Sequence, residues 1–161
     1  MQKDETIQEA MFGSGCFWGV QYNFDQVKGV IETEVGYAGG HSDNPTYKSV
    51  CTGTTGHAEA VHLSYDPKIV SYEQILKVFW ENHDPTTMNR QGPDVGSQYR
   101  SIIFYYDEEQ KMFAEKSKEE LANSGKYKNP IVTEIVSASQ FYKAEEYHQK
   151  YFEKTGQKVC H

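Results

Sequence analysis

Apolar and polar positions recur along the chain at two periods, and the switches between them divide it into elements. Thr6–Gly13 reads as a short strand, and residues 16–27 then take up a helical period with Phe17, Val20, Phe24 and Val27 on one face and Gly29 as the stop signal. Val30–Tyr37 returns to alternation, with Ile31, Thr33, Val35 and Tyr37 opposite Val30, Glu32 and Glu34. His57–Tyr65 repeats the pattern and puts Glu59 on the same face as Val61, Leu63 and Tyr65. Ser71 and Gln74 form a capping box for a helix whose Ile75, Leu76, Phe79, Trp80 and His83 make a stripe. Arg100–Tyr106 is a strand, Asp107 with Gln110 caps a third helix that ends near Gly125, and Ile131–Ser137 is a last strand before a short helix around Ala144–Glu153. The tail from Thr155 to His161 carries no period.

This order, β-α-β-β-α-β-α-β, predicts an α+β fold: a two-layer sandwich with a ferredoxin-like, split βαβ core, long active-site loops and an irregular C-terminal tail. Two stretches without periodicity, Ala38–Gly56 and Asp84–Tyr99, are unusually long for a compact domain, and such loops more often carry function than not. A chain of 161 residues fits one catalytic domain, 1–161, with 154–161 as a mobile tail.

Charge and cysteine usage narrow the function. A formal net charge of -7 with no basic run argues against binding to a phosphate backbone, so nucleic acid is not an expected partner. The start, Met1-Gln2-Lys3-Asp4-Glu5, lacks a signal-peptide pattern, and no apolar run approaches the length of a membrane span; a cytoplasmic monomer is expected. The three cysteines, Cys16, Cys51 and Cys160, are too few for a secreted disulfide framework and include no CxxC pair. A disulfide, if formed, is then catalytic, and no metal or cofactor is called for.

Gly15-Cys16-Phe17-Trp18-Gly19 places a thiol in the first turn of the first helix, where unpaired backbone N–H groups and the helix dipole favour thiolate. The same residue could be a buried, inert cysteine. Trp18 lies roughly 100° around the helix from Phe17, off the core stripe, where it could wall an apolar pocket beside the thiol. Three polar clusters could converge on Cys16. Tyr47 and Glu59 form the first; a carboxyl on an apolar strand face is either paired or desolvated, and desolvation keeps its proton for use as a general acid. Asp94 and Tyr99, at the exit of the second loop, form the next, although Asp and Gly there also suit ordinary turns. His57 and His83 are the third and could activate a thiol as a base, but His83 continues a core stripe.

With these segments in order, the chain resembles the A-type peptide methionine sulfoxide reductases over nearly its whole length. Gly15-Cys16-Phe17-Trp18-Gly19 is similar to the family's nucleophile motif. Gly36-Tyr37-Ala38-Gly39-Gly40 and Asn44-Pro45-Thr46-Tyr47 resemble its first active-site loop, and Gly56-His57-Ala58-Glu59-Ala60 its acid-bearing strand. His83-Asp84-Pro85-Thr86 and the segment from Arg90 to Ser101 resemble its second loop. The resemblance implies a thiol-dependent oxidoreductase for the S epimer of methionine sulfoxide, in oxidised proteins or as the free amino acid, recycled by thioredoxin. It implies Cys16 as nucleophile, Phe17 and Trp18 around the substrate methyl, Glu59 as proton donor, and Tyr47 and Tyr99 as hydrogen-bond donors to the sulfoxide oxygen. Asp94 would shape the pocket. Cys160 would resolve a sulfenic acid on Cys16 by forming a disulfide. Residues Gly156-Gln157-Lys158-Val159 depart from the tail common in the family, and Cys51 carries no assigned role, which leaves it as a packed thiol. A Cys-His hydrolase and a non-catalytic peptide-binding module are the alternatives on residues alone.

Overall fold

A computed structural model describes residues 7–151 and residue 154. In chain order its elements are β1 (Gln8–Ser14), α1 (Phe17–Asp25), β2 (Val30–Ala38), α2 (Tyr47–Cys51), β3 (Ala58–Tyr65), α3 (Tyr72–Glu81), β4 (Arg90–Gln91), β5 (Asp94–Val95), β6 (Ser101–Tyr105), α4 (Glu108–Ala122), β7 (Glu134–Ser137) and β8 (Tyr142–Lys143). Six strands form one sheet in the order β7-β6-β1-β3-β2-β8, and β4 pairs with β5 in a separate hairpin. All neighbours in the large sheet are antiparallel except β6 and β7. The central order β6-β1-β3-β2, with α1 between β1 and β2 and α3 between β3 and β6, is the split βαβ core that the element pattern predicts.

The alternation in each strand aims one row of apolar side chains at the helices. Ile103, Phe12, Val61 and Val35 are successive partners across β6, β1, β3 and β2, and all are fully buried. Phe24 of α1 and Phe79 of α3 lie over this row, their rings 5.4 Å and 5.1 Å from that of Phe12. Glu59 sits on the same face of β3 as Val61, two residues along and opposite Tyr37, so the strand that builds the core also carries a carboxyl to its edge. A smaller apolar cluster of Met11, Ala60, Ile102 and Phe104 occupies the other face, packed against Val136, Ala138 and Phe141.

Local signals explain where the helices start. Ser71 and Gln74 form the reciprocal capping box at α3, and Asp107 accepts from Gln110 N at the start of α4. Such caps contribute about 1 kcal/mol each. The first long loop departs from its expected lack of structure: α2 forms within it because Thr46 and Ser49 make a second capping box, on a run too short to show a helical period. The helix expected over Ala144–Glu153 is interrupted. A single 3-10 turn spans Glu146–His148, and Lys150 adopts φ 57°. Gln149 is the cause, because its side chain is spent on the main chain, accepting from Val35 N at 3.0 Å and donating to Val35 O at 2.9 Å. Among the described residues no helix is long and apolar enough to cross a membrane.

Candidate active site

β1 delivers the chain to the start of α1 through Gly15, whose φ of 109° is open to glycine and strained for any other residue. Cys16 follows as the N-cap residue of α1 and is half-buried. A carboxylate from another strand meets the first turn of this helix: Phe17 N donates to Glu59 Oε1 at 3.1 Å. Glu59 is 1% exposed, so the candidate acid is desolvated and held one residue from the candidate nucleophile. A carboxyl oxygen at a helix N-terminus accepts an otherwise orphaned N–H, and the second oxygen of the group can still carry a proton.

Tyr47 opens α2, and Tyr99 closes the 3-10 turn Ser97–Tyr99 that follows β5. Burial raises the pKa of the Tyr47 phenol, and the nearby acidic groups of Cys51 and Glu59 add to the rise. Tyr99 is raised likewise, by burial first and then by Glu59, Cys51, Asp94 and Cys16. Both phenols therefore keep their protons at neutral pH and can act as donors. Cys16, Tyr47, Glu59 and the segment that carries Asp94 and Tyr99 thus come near one another from four separate stretches of chain. Asp94, at the start of β5, also lines a recess with Cys16.

Phe17 and Trp18 take different places. Phe17 is buried, with its ring 5.7 Å from Tyr37 and 5.3 Å from His148. Trp18, off the helix stripe, is half-buried; it stacks on Tyr151 at 3.9 Å and its indole N–H donates to His148 Nδ1 at 3.0 Å. His148 must then be neutral, with its proton on Nε2, and burial lowers its pKa accordingly. Glu145 braces the same corner, accepting from the Tyr37 hydroxyl at 2.9 Å and from Tyr47 N at 3.0 Å. Burial pushes the Glu145 carboxyl up, but these donors outweigh it and hold it below its ordinary value. Sequence reasoning missed Glu145 and His148. Their spacing of three residues and the polar run around them were the available signal, but its targets lie 98 to 130 residues earlier in the chain.

Neither of the histidines considered as bases serves Cys16. His57 accepts from Gly40 N through Nδ1 at 2.9 Å, and its Nε2 lies 2.7 Å from Ser42 O. His83 has Nδ1 2.7 Å from Phe79 O and Nε2 2.7 Å from Ser101 Oγ. Burial pushes the His83 pKa down to about 4 from its ordinary 6.5. The unfolded chain therefore binds this proton more readily than the folded one. The stability that neutral His83 contributes, about 3 kcal/mol, is complete above pH 6.5 and is lost as pH falls through about 4. Urea unfolding at pH 7.5 and pH 4.5, chosen on either side of about 6.5, should show a steep acid loss in the unaltered protein and a shallower one in His83→Gln. Equal slopes would remove His83 from the acid sensitivity.

Cys160 lies outside the described residues. Cys51 corrects an expectation: it is exposed instead of packed, at the end of the short helix α2, one turn after Tyr47. Partial desolvation of its sulfur nevertheless raises the thiol pKa, and the neighbouring Tyr47 and Gln98 side chains partly offset the rise.

A family model described as peptide methionine sulfoxide reductase matches residues 8–161. Peptide methionine sulfoxide reductase MsrA of Methanosarcina acetivorans is 64% identical over 152 residues, 94% of this chain and 81% of that one. The fold is similar to the crystal structure of Mxr1 from Saccharomyces cerevisiae in reduced form, with a TM-score of 0.90 and 36% identity over 99% of this chain and 92% of that one. It is also similar to the structure of Mxr1 in complex with Trx2, with a TM-score of 0.66 and 27% identity over 94% and 88% of the two chains.

Proposed function

The chain belongs to the peptide methionine sulfoxide reductase family and is an oxidoreductase, and from this we propose that it reduces the S epimer of methionine sulfoxide, protein-bound and free, with thioredoxin as final reductant. The observation that carries the reading is the bond from Phe17 N to Glu59 Oε1, which ties a buried acid to the turn that holds Cys16. A sulfoxide needs a soft nucleophile for its sulfur, a proton donor for its oxygen and an apolar seat for its methyl group. Trp18 and Phe17 form the seat, Tyr47 and Tyr99 donate to the oxygen, and Asp94 shapes the wall beside Cys16.

The Cys16 thiolate attacks the sulfoxide sulfur while Glu59 delivers a proton to the oxygen. The oxygen then passes to Cys16 as a sulfenic acid, methionine leaves, and two electrons move from the thiolate to the substrate. Attack by the Cys160 thiol forms a Cys16–Cys160 disulfide and releases water. A thioredoxin dithiol reduces that disulfide by exchange. The Mxr1 structure in complex with Trx2 supports this last partner. The test is methionine formation from a sulfoxide mixture with dithiothreitol; consumption of the R epimer alone, or no methionine at all, counts against the reading.

Trp18 supplies a separate prediction. Its ring is held by Tyr151 and His148 at the edge of the core instead of within it. Trp18→Ala should therefore raise KM more than it lowers stability. A stability loss of about 3–5 kcal/mol in urea unfolding, as for a core aromatic, with KM unchanged would make Trp18 a packing residue.

A further inference from the structure

The Tyr47 phenol is carried by α2, whose five residues are too few to hold a position through their own hydrogen bonds. Val50, fully buried, anchors the far end of this helix in the core. At its head the capping box takes up the N–H groups of Thr46 and Ser49, at 2.9 Å and 3.1 Å. The N–H of Tyr47 itself donates to Glu145 Oε2 at 3.0 Å. We propose that Glu145 is a positioning residue for the reduction, whose carboxylate ties the start of α2 to β2 and so sets where the Tyr47 hydroxyl meets the sulfoxide oxygen. The inference rests on the reductase reading and on Tyr47 as a donor within it.

Both oxygens of this carboxylate are committed. Oε1 accepts from the Tyr37 hydroxyl at 2.9 Å while Oε2 accepts from Tyr47 N. Tyr37 is fully buried on β2, directly opposite Glu59 in the register with β3, and its ring lies 5.7 Å from that of Phe17. One side chain therefore links the strand position beside the proposed acid to the residue that carries the proposed donor. Two donors that converge on one group call for two acceptor oxygens, which an ionised carboxylate has and an amide lacks. Burial opposes the charge, yet the donors hold the Glu145 carboxyl below its ordinary pKa, so both oxygens accept at neutral pH. With no acidic proton to give, Glu145 acts through Tyr47.

The clamp is itself fixed in advance. β8 sets Lys143 opposite Gly36 and Tyr142 opposite Tyr37, and Ala144 N donates to Val35 O at 2.9 Å. Gln149 closes the turn on the other side of Glu145, through Val35 N and O. Glu145 thus stands on a segment laid along the edge of β2, between two sets of main-chain bonds. A group held in this way keeps the reacting partners in register before substrate arrives.

The experiment measures single-turnover methionine release from methionine S-sulfoxide in the unaltered protein, Glu145→Gln, Tyr47→Phe and the double variant. Glu145→Gln keeps the size of the side chain and removes one acceptor. It should slow release about tenfold, short of the roughly 10²-fold that a displacement of about 1 Å can cost, with the half-saturating substrate concentration unchanged. In the Tyr47→Phe protein, itself slowed, the same substitution should change the rate by less than about twofold, since no hydroxyl remains to be placed. Its effect on thermal unfolding should be equal in the two backgrounds, which a purely structural role would carry over to the rate. Equal slowing in both backgrounds, or none in Glu145→Gln, overturns the inference and leaves the reductase reading intact. A Tyr47→Phe rate equal to that of the unaltered protein removes the donor and overturns the inference as well. Tyr37→Phe takes one donor from the same carboxylate and keeps the test decisive if Glu145→Gln does not fold: it should slow release in part, and again only while Tyr47 is present. No methionine from the unaltered protein overturns the reductase reading and this inference with it.

Discussion

Cys16→Ser is expected to end methionine release altogether, the largest effect of any single substitution in this chain. A serine hydroxyl at the head of α1 has neither the thiolate's low pKa nor its nucleophilicity, so neither helix position nor neighbouring donors can rescue the step. Cys160→Ser separates the chemistry that follows. It should still release about one methionine per protein molecule and leave a sulfenic acid on Cys16 that a dimedone-type reagent can trap. Turnover with thioredoxin should then stall, because exchange requires a disulfide to attack. Cys51→Ser should keep that turnover, since neither the first step nor the Cys16–Cys160 disulfide uses the Cys51 thiol. Full thioredoxin-linked turnover in Cys160→Ser, together with its loss in Cys51→Ser, would transfer the resolving role to Cys51.

How much of this was legible in the sequence depended on the range of the interaction. The two-residue period of β3 put Glu59 on the face of Val61 and Leu63, and Glu59 is indeed buried there. The stripe that ended in His83 implied a packed histidine with satisfied nitrogens, and both are hydrogen-bonded. The capping pair Ser71 and Gln74 gave the start of α3 correctly. Contacts across long separations left no local trace. Nothing near Gln149 indicates that its amide replaces a strand partner for Val35, or that this breaks the expected helix at Lys150. Likewise, the Glu145 carboxylate that joins Tyr37 to Tyr47, and the His148 nitrogen that receives the Trp18 indole, belong to a segment whose own periodicity looks like an ordinary short helix. Tertiary hydrogen bonds decide that corner, and propensity does not.

Glu59→Gln is the sharper test of the chemistry, because it separates the cap that the carboxyl provides from the proton that it is proposed to donate. As the acceptor from Phe17 N it caps α1, and as the proton donor it would serve the sulfoxide oxygen. Glutamine keeps a carbonyl oxygen for the first task and has no acidic proton for the second. Thermal unfolding of Glu59→Gln should therefore stay close to that of the unaltered protein, while single-turnover methionine release slows about 10²–10⁴-fold, the usual value of a general acid. That corresponds to about 3–5 kcal/mol of barrier. Glu59→Ala should add a stability loss of about 1 kcal/mol from the missing cap. A slowing of less than about tenfold in Glu59→Gln, with the fold intact, would leave Glu59 as a cap alone and move the proton to Tyr47 or Tyr99. Tyr47→Phe and Tyr99→Phe would then show the larger loss.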